Sequence, residues 1–270
     1  MTLLVRDEED IIEWNLRYHL LRGVEHFVVT DNLSVDGTAG ILRRYEQQGT
    51  VTYFHEPADD YSQDLWVTRM ARFAQSKFQP DWLLHCDADE FWWPDDFGDL
   101  KEAFSRVAPD VRAVHVRRDN YLGPAAHRDE PFFSRMVYRQ RVSVNALGLP
   151  LPAKVAHRPL EQPYVHQGNH EVSERGSRVD VAVMGGVSIL HFPARTPEQL
   201  RRKIASGGAA YQRNTRFGPS VGSTWRAMHR DLLAGNFDRV VKTQFVNSGD
   251  VREPEGLIED YRLRDFLARL

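Results

Sequence analysis

Apolar residues along the first ninety positions alternate between two rhythms. Short runs with strand composition, Leu3–Val5, His26–Thr30, Thr50–Phe54 and Trp82–Cys86, are bounded by polar residues. Between them the spacing is helical. Ile11, Ile12, Leu16 and Leu20 share one face of a helix over residues 8–22, which Gly23 stops. Asp36-Gly37-Thr38 opens a second helix to about Gln47, and Trp66, Met70 and Phe73 mark a third over 62–77. Strands alternating with helices predict an α/β fold, a Rossmann-like, mostly parallel sheet flanked by helices. The rest is less regular. Val111–Arg117 and Val187–His191 read as strands, 121–135 as a loop, and 197–211, 223–234 and 257–269 as helices. The expected division is a nucleotide-binding domain over 1–195 and a helix-rich extension over 196–270 packed on the same domain.

Composition narrows the function classes. A chain of 270 residues with 41% hydrophobic residues and six Trp can bury a substantial core. A formal net charge of −3 gives no electrostatic case for nucleic acid or an anionic membrane, so neither is an expected partner. Locally the charge is uneven: residues 81–102 hold eight acids and one Lys, and residues 111–160 nine Lys or Arg and three acids. That contrast suits a metal site facing an anionic ligand. A single Cys excludes an intramolecular disulfide and a Cys-based zinc site, and Cys86 reads as a small core residue. Without an apolar leader or a transmembrane run of about 18 residues, a cytoplasmic location is expected.

The most informative segment is residues 82–94, WLLHCDADEFWWP. A strand ending in carboxylates at i and i+2 sets Asp87 and Asp89 on one side of the chain, about 7 Å apart, where they can share a hard cation. In open α/β sheets the ligand crevice lies outside the carboxyl ends of the strands. Asp31 ends an earlier strand in the same way, while Asp36 reads as a helix cap. Glu90 orients the loop or pairs with a basic residue. His166 and His170 have i, i+4 spacing, but Gly168 and Asn169 between them argue for a loop and against a helical metal site.

Several pieces together resemble a known family. Arg6-Asp7-Glu8, Glu13-Trp14, His19, Gly23-Val24 and Asp31 through Thr38 resemble the opening of family 2 type glycosyltransferases with the GT-A fold. Trp82 through Phe91 resembles their D-x-D segment in the form D-x-D-E-F, and His191-Phe192-Pro193 with Arg195 and Lys203 resembles their late His and helix. The resemblance implies a transferase that uses a nucleoside-diphosphate sugar and Mn²⁺ or Mg²⁺. It places Arg6 and Asp31 at the base and ribose, Asp87 at ribose or metal, Asp89 at the metal, His191 as a further metal ligand, and Gln63 at the start of the helix before the D-x-D strand. Asp7 stands where the subgroup commonly has Asn, and its E-D pair for the catalytic base is not evident.

The chemistry asks for two more groups. A divalent ion bridging the diphosphate neutralises charge as the glycosidic bond breaks, and an inverting transfer needs a carboxylate to take the acceptor proton. Glu171 and Asp119 are the candidates for that base. Lys154, Arg195 and Lys203 are candidates for phosphate, and Trp92 and Trp93 for stacking on a sugar face. The reading is a metal-dependent, inverting glycosyltransferase acting on a glycan or other hydroxyl acceptor. A sugar nucleotidyltransferase would prefer a Gly-rich loop after the first strand, where Arg6-Asp7-Glu8-Glu9 has no glycine; a non-catalytic carbohydrate-binding or scaffold protein is the other alternative.

Overall fold

The computed structural model describes residues 1–125, 130–218, 220–246 and 256–270. In chain order the elements are β1 (Thr2–Val5), α1 (Ile12–Leu21), β2 (Phe27–Asp31), α2 (Thr38–Gln47), β3 (Val51–His55), α3 (Gln63–Phe78), β4 (Leu83–Asp87), β5 (Glu90–Pro94), α4 (Leu100–Ser105) and β6 (Ala113–Val116). They continue with β7 (Arg118–Leu122), α5 (Phe132–Arg135), β8 (Tyr138–Gln140), β9 (Lys154–His157), β10 (Pro163–Val165), β11 (Val172–Glu174), β12 (Ser177–Arg178), β13 (Val181–Val183) and β14 (Val187–His191). Helices α6 (Pro197–Arg213), α7 (Ser223–Leu233) and α8 (Phe237–Gln244), strand β15 (Leu257–Glu259) and helix α9 (Arg262–Leu267) complete the described chain.

Two compact units divide these elements. The first comprises residues 1–58, 62–118 and 152–190, and the second 59–61, 119–151 and 191–270. Segment 119–151, which sequence order had grouped with the first domain, thus clusters with the C-terminal helices. The first unit is mixed α/β. Its seven-stranded sheet runs β13-β6-β9-β4-β1-β2-β3, with β4, β1, β2 and β3 parallel and β9 antiparallel to both β4 and β6. Val67, Met70, Ala71 and Ala74 on α3 pack with Val28, Leu83, Ala113 and Val155 from the strands. The helical spacing in the sequence is the record of that contact.

The second unit holds the antiparallel order β15-β8-β7 and a separate core in which Leu200 and Ile204 of α6 meet Met228 of α7 and Phe237 and Val240 of α8. Among the described residues no helix is long and apolar enough to cross a membrane.

The first helix begins later than its apolar spacing suggests. Residues 7–9 are held as a loop: Asp7 takes φ 55°, its N–H donates to Ser34 Oγ, and the N–H groups of Glu8 and Glu9 donate to Thr38 Oγ1 and Asp36 Oδ2. The expected C-terminal helix over 257–269 splits into β15 and α9, because Asp260 turns both carboxylate oxygens onto Arg262. Of the loop expected over 121–135, residues 126–129 lie outside the described residues; the remainder contains the end of β7 and the short helix α5. Helix α4 opens on a reciprocal cap. Asp99 accepts from Glu102 N at 2.7 Å while Glu102 accepts from Gly98 N at 3.1 Å.

The first unit buries three neutral imidazoles, His19, His85 and His157, and holds a fourth, His170, half-buried. His19 donates from Nδ1 to the Asn15 carbonyl and accepts from Trp92 N at 3.1 Å, which requires the uncharged ring. Burial lowers His19 and His170 to about 3 and His157 to about 4, and drives His85 well below its ordinary value. Unfolded, each ring takes up a proton near its ordinary value of about 6.5. Their contribution is therefore complete above about pH 6.5 and is lost as pH falls toward 4, each ring adding at most about 1.4 kcal/mol per pH unit. Urea midpoints at pH 7, 6, 5 and 4.5 should fall steeply in that order. Constant midpoints down to pH 5 would show that these rings are already charged in the fold.

Candidate active site

The chain steps from β1 to β2 to β3 in one direction, and α3 then carries it back to β4 on the other side of β1. Strand order reverses between β1 and β4, and a crevice opens at such a point beyond the carboxyl ends of the strands. The register sets Asp31 beside Val5 and Asp87 beside Leu4. Asp31, the residues after Val5, and Asp87 therefore lie along one edge of three neighbouring strands.

At the end of β4 the strand does not run on to Asp89. It stops at Asp87, Ala88 and Asp89 turn, and Glu90 starts β5. The i, i+2 strand geometry expected for the two aspartates is absent for that reason. Asn15 closes the turn from α1, its Nδ2 donating to the carbonyls of Ala88 at 3.0 Å and Glu90 at 2.8 Å. Glu90, wholly buried, accepts the Asp87 N–H at 3.0 Å. Strand β9 lies antiparallel to β4, so its first residue, Lys154, approaches the last residue of β4. The Lys154 ammonium is 1% exposed and sits 2.5 Å from Asp87 Oδ2 and 3.3 Å from Glu90 Oε1. Arg118 reaches the same Glu90 oxygen at 3.2 Å.

Burial pushes the Glu90 carboxyl up to about 7, against the pull of Lys154 and Arg118. The Lys154 ammonium is held above its ordinary value, the attraction of Asp87 and Glu90 outweighing the opposing effect of its burial. A buried charge is tolerated when it is paired and hydrogen-bonded, and here two carboxylates and two cations satisfy one another.

Helix α3 positions a second wall. Gln75 exchanges two hydrogen bonds with Leu160, Arg72 donates to the Pro163 carbonyl, and Thr68 bonds the backbone of Val165. At the first turn Gln63 accepts from Gly168 N at 3.0 Å and Gln167 accepts from Asp64 N at 3.1 Å. This ladder holds the one-turn 3-10 helix Gln167–Asn169 against the start of α3. Asn169, at φ 60° and 1% exposed, extends its Nδ2 to Asp87 Oδ1 at 3.4 Å.

Residues 4–193 match the profile of glycosyltransferase family 92. The chain belongs to that family. The family is number 92, where the motifs had resembled the family 2 type. No curated protein sequence matches the chain significantly. Among solved structures, the family 92 chain is similar to S. aureus TarS 1-349 in complex with UDP-GlcNAc at 12% identity and a TM-score of 0.46, covering 94% of this chain and 75% of that one. It is similar to the same TarS fragment with UDP at 11% identity and a TM-score of 0.44, covering 96% and 95%. A further structure of the fragment gives 10% identity and 0.45, covering 90% and 80%.

The structure of this family 92 chain brings Gln63, Asp87 and Lys154 into one network, through Gly168 and Asn169. Arg6 follows β1 at the same edge. Asp31 is 2% exposed, with Oδ2 accepting from Tyr53 OH at 2.9 Å and Oδ1 from Ser34 N at 3.1 Å. Asp36 lies one residue before the N-cap Gly37 and accepts from Thr38 N at 3.0 Å. Glu171, half-buried and paired with Arg178, sits two residues beyond Asn169. Asp119 and His191 belong to the second unit, where Asp119 is buried and His191 Nδ1 lies 3.0 Å from Asn120 Oδ1. Arg195, also in that unit, is buried, and one of its nitrogens donates to the Phe192 carbonyl. Trp92 cannot stack on a sugar, because it is fully buried in the core beside Phe104. Trp93 stacks on Tyr18 beneath the Arg22 guanidinium. Sequence reading missed Asn15, Arg118 and Asn169. A buried polar residue facing a turn has no periodic signature, and only the spacing of Asn169 from Gly168 hinted at a special backbone.

The described residues contain no group of three His, Cys, Asp or Glu side chains arranged to hold a metal ion, and Asp87 turns one oxygen to Lys154 and the other to Asn169. Lys154→Met would leave Glu90 and Asp87 without their ammonium, and we expect it to lower stability by about 3–5 kcal/mol. Adding Glu90→Gln to that variant should restore a substantial part of the loss, since the two residues are coupled. Urea unfolding of both variants measures this; equal losses in the single and double variants would remove the ion pair from its structural role.

Proposed function

We propose that this glycosyltransferase moves a sugar from a nucleoside-diphosphate donor to a hydroxyl acceptor with inversion, on a GT-A type sheet. The observation that carries the reading is the network of Asp87, Lys154 and Asn169 at the strand-order reversal between β4 and β1. Arg6, at the exit of β1, meets the base or ribose, while Asp87 and the neighbouring backbone receive polar groups of the nucleoside. Glu171 follows the same anchored turn that carries Asn169, and its carboxylate is partly accessible. In the reaction it takes the acceptor hydroxyl proton as that oxygen attacks the anomeric carbon, and the nucleoside diphosphate departs with the electrons of the broken glycosidic bond.

Incubation with a panel of UDP- and GDP-sugars and hydroxyl acceptors, followed by mass spectrometry for released nucleoside diphosphate and NMR for the product anomer, tests the reading. One donor class should be consumed, giving a product of inverted configuration. Glu171→Gln should reduce turnover by at least about 100-fold, the lower range for loss of general-base assistance, with donor affinity within about twofold. Equal turnover in Glu171→Gln would remove Glu171 from the base role, and no binding of any nucleotide sugar would sink the donor reading. Parallel assays with Mn²⁺, Mg²⁺ and EDTA decide the divalent-ion dependence that the motifs imply.

A further inference from the structure

We propose that Asn169 is a specificity-determining residue that reads a vicinal diol on the bound nucleotide sugar, accepting a hydrogen bond from one hydroxyl while Asp87 accepts from its neighbour. The inference rests on the nucleotide-sugar reading above. Asn169 is 1% exposed, yet its Oδ1 has no hydrogen-bond partner within the described protein. Buried acceptors are almost always satisfied, and an exception asks for a reason. Exchanging the amide oxygen and nitrogen does not remove it, because that would set a carbonyl oxygen against the Asp87 carboxylate, where Nδ2 now donates. The acceptor is therefore held beside Asp87, whose side chain is 33% exposed and open to a ligand at the strand ends.

The backbone shows the same commitment. Gly168 and Asn169 take φ of 81° and 60° in succession, a conformation that a bulky or β-branched residue resists. It is fixed from outside the turn by Gln63, which accepts from Gly168 N, and from within by the bond of Asn169 N to the His166 carbonyl at 3.0 Å. Asn tolerates the left-handed region, so the residue type satisfies the turn and the recognition together. With Lys154 on Oδ2 and Asn169 on Oδ1, the Asp87 carboxylate keeps acceptor capacity, since two oxygens offer about four lone-pair sites. Side by side, the carboxylate and the carbonyl present two acceptors and call for two adjacent donors. A ribose or a hexose carries such a pair.

The test uses Asn169→Gly, which suits φ 60° without strain and removes the amide, with Asn169→Asp as a second variant that keeps the turn and loses the donor to Asp87. Calorimetry is run with UDP and GDP, their 2′-deoxy and 3′-deoxy counterparts, and the corresponding sugar nucleotides with hydroxyl or deoxy sugars. The wild type should lose about tenfold in affinity when the recognised hydroxyl is absent, the scale of one hydrogen bond to a well-placed acceptor. Asn169→Gly should lose the preference at the one hydroxyl that Asn169 reads and keep it at the neighbour read by Asp87, while unfolding cooperatively near the wild-type midpoint. A difference confined to the deoxyribose forms assigns the diol to ribose, and one confined to the deoxy sugars assigns it to the hexose. Should Asn169→Gly retain the full wild-type preference at both hydroxyls of the diol, the proposal falls while the donor reading stands. Absence of nucleotide binding by the wild type would overturn both.

Discussion

The buried ammonium of Lys154 is the interaction on which the first unit's active edge depends. Three segments meet there: the end of β4 through Asp87, the start of β5 through Glu90, and the start of β9 that Lys154 itself opens. Without the ammonium, the wholly buried Glu90 would face Asp87 across a tight turn with Arg118 as its remaining ion-pair partner. The turn could not keep its shape with two carboxylates so close and one compensating charge removed. With it, the Glu90 oxygens are divided between backbone and cations, and the Asp87 carboxylate is held at the sheet edge while a third of its side chain faces solvent.

Helix α3 supplies the complementary constraint. Its apolar residues Val67, Met70, Ala71 and Ala74 bind it to the sheet, whereas Thr68, Arg72 and Gln75 hold the backbone of residues 160–165. One helix therefore serves two clients, with the spacing i, i+4, i+7 on its polar side matching an extended segment. Gln63 ends this ladder at the turn that delivers Asn169 to Asp87. The active edge is thus set from opposite sides by a salt-bridge cluster and by a hydrogen-bonded template.

The sheet elements through β4 were legible because β1, β2 and β4 bury apolar runs and β3 is rich in β-branched and aromatic residues, while the helices between them repeat at 3.6. Strands β8 to β13 were not. They are two to four residues long, and the strands β11 to β13 include exposed positions such as Val183, so neither an apolar run nor strict alternation marks them. The candidate site divides in the same way. Asp87 and Asp31 announced themselves as acids at the ends of apolar runs, and Lys154 was singled out without its partner being visible. Asn15 and Asn169 act through contacts 73 and 82 positions away, a separation that no local pattern encodes. The D-x-D spacing suggested one strand carrying both aspartates. A strand, however, must end where Asn15 and Glu90 turn the chain, and the turn separates what the spacing had placed side by side.

The uneven charge along the sequence takes a different meaning in the fold. The acidic stretch 81–102 and the basic stretch 111–160 looked like a cation site opposite an anion site. Within the first unit they instead meet each other: Lys154 with Asp87 and Glu90, Arg118 with Glu90, and Arg117 with Asp95 at 3.6 Å. Arg158 adds a contact of another kind, its guanidinium lying over Trp82, 4.5 Å from the ring centre, and so covers the start of the strand that ends in Asp87. Exposed pairs of this sort contribute little, but the Lys154 cluster is desolvated, and there pairing decides whether the charges are tolerable at all. A ligand that reaches Asp87 consequently meets a carboxylate whose charge is already shared with a lysine.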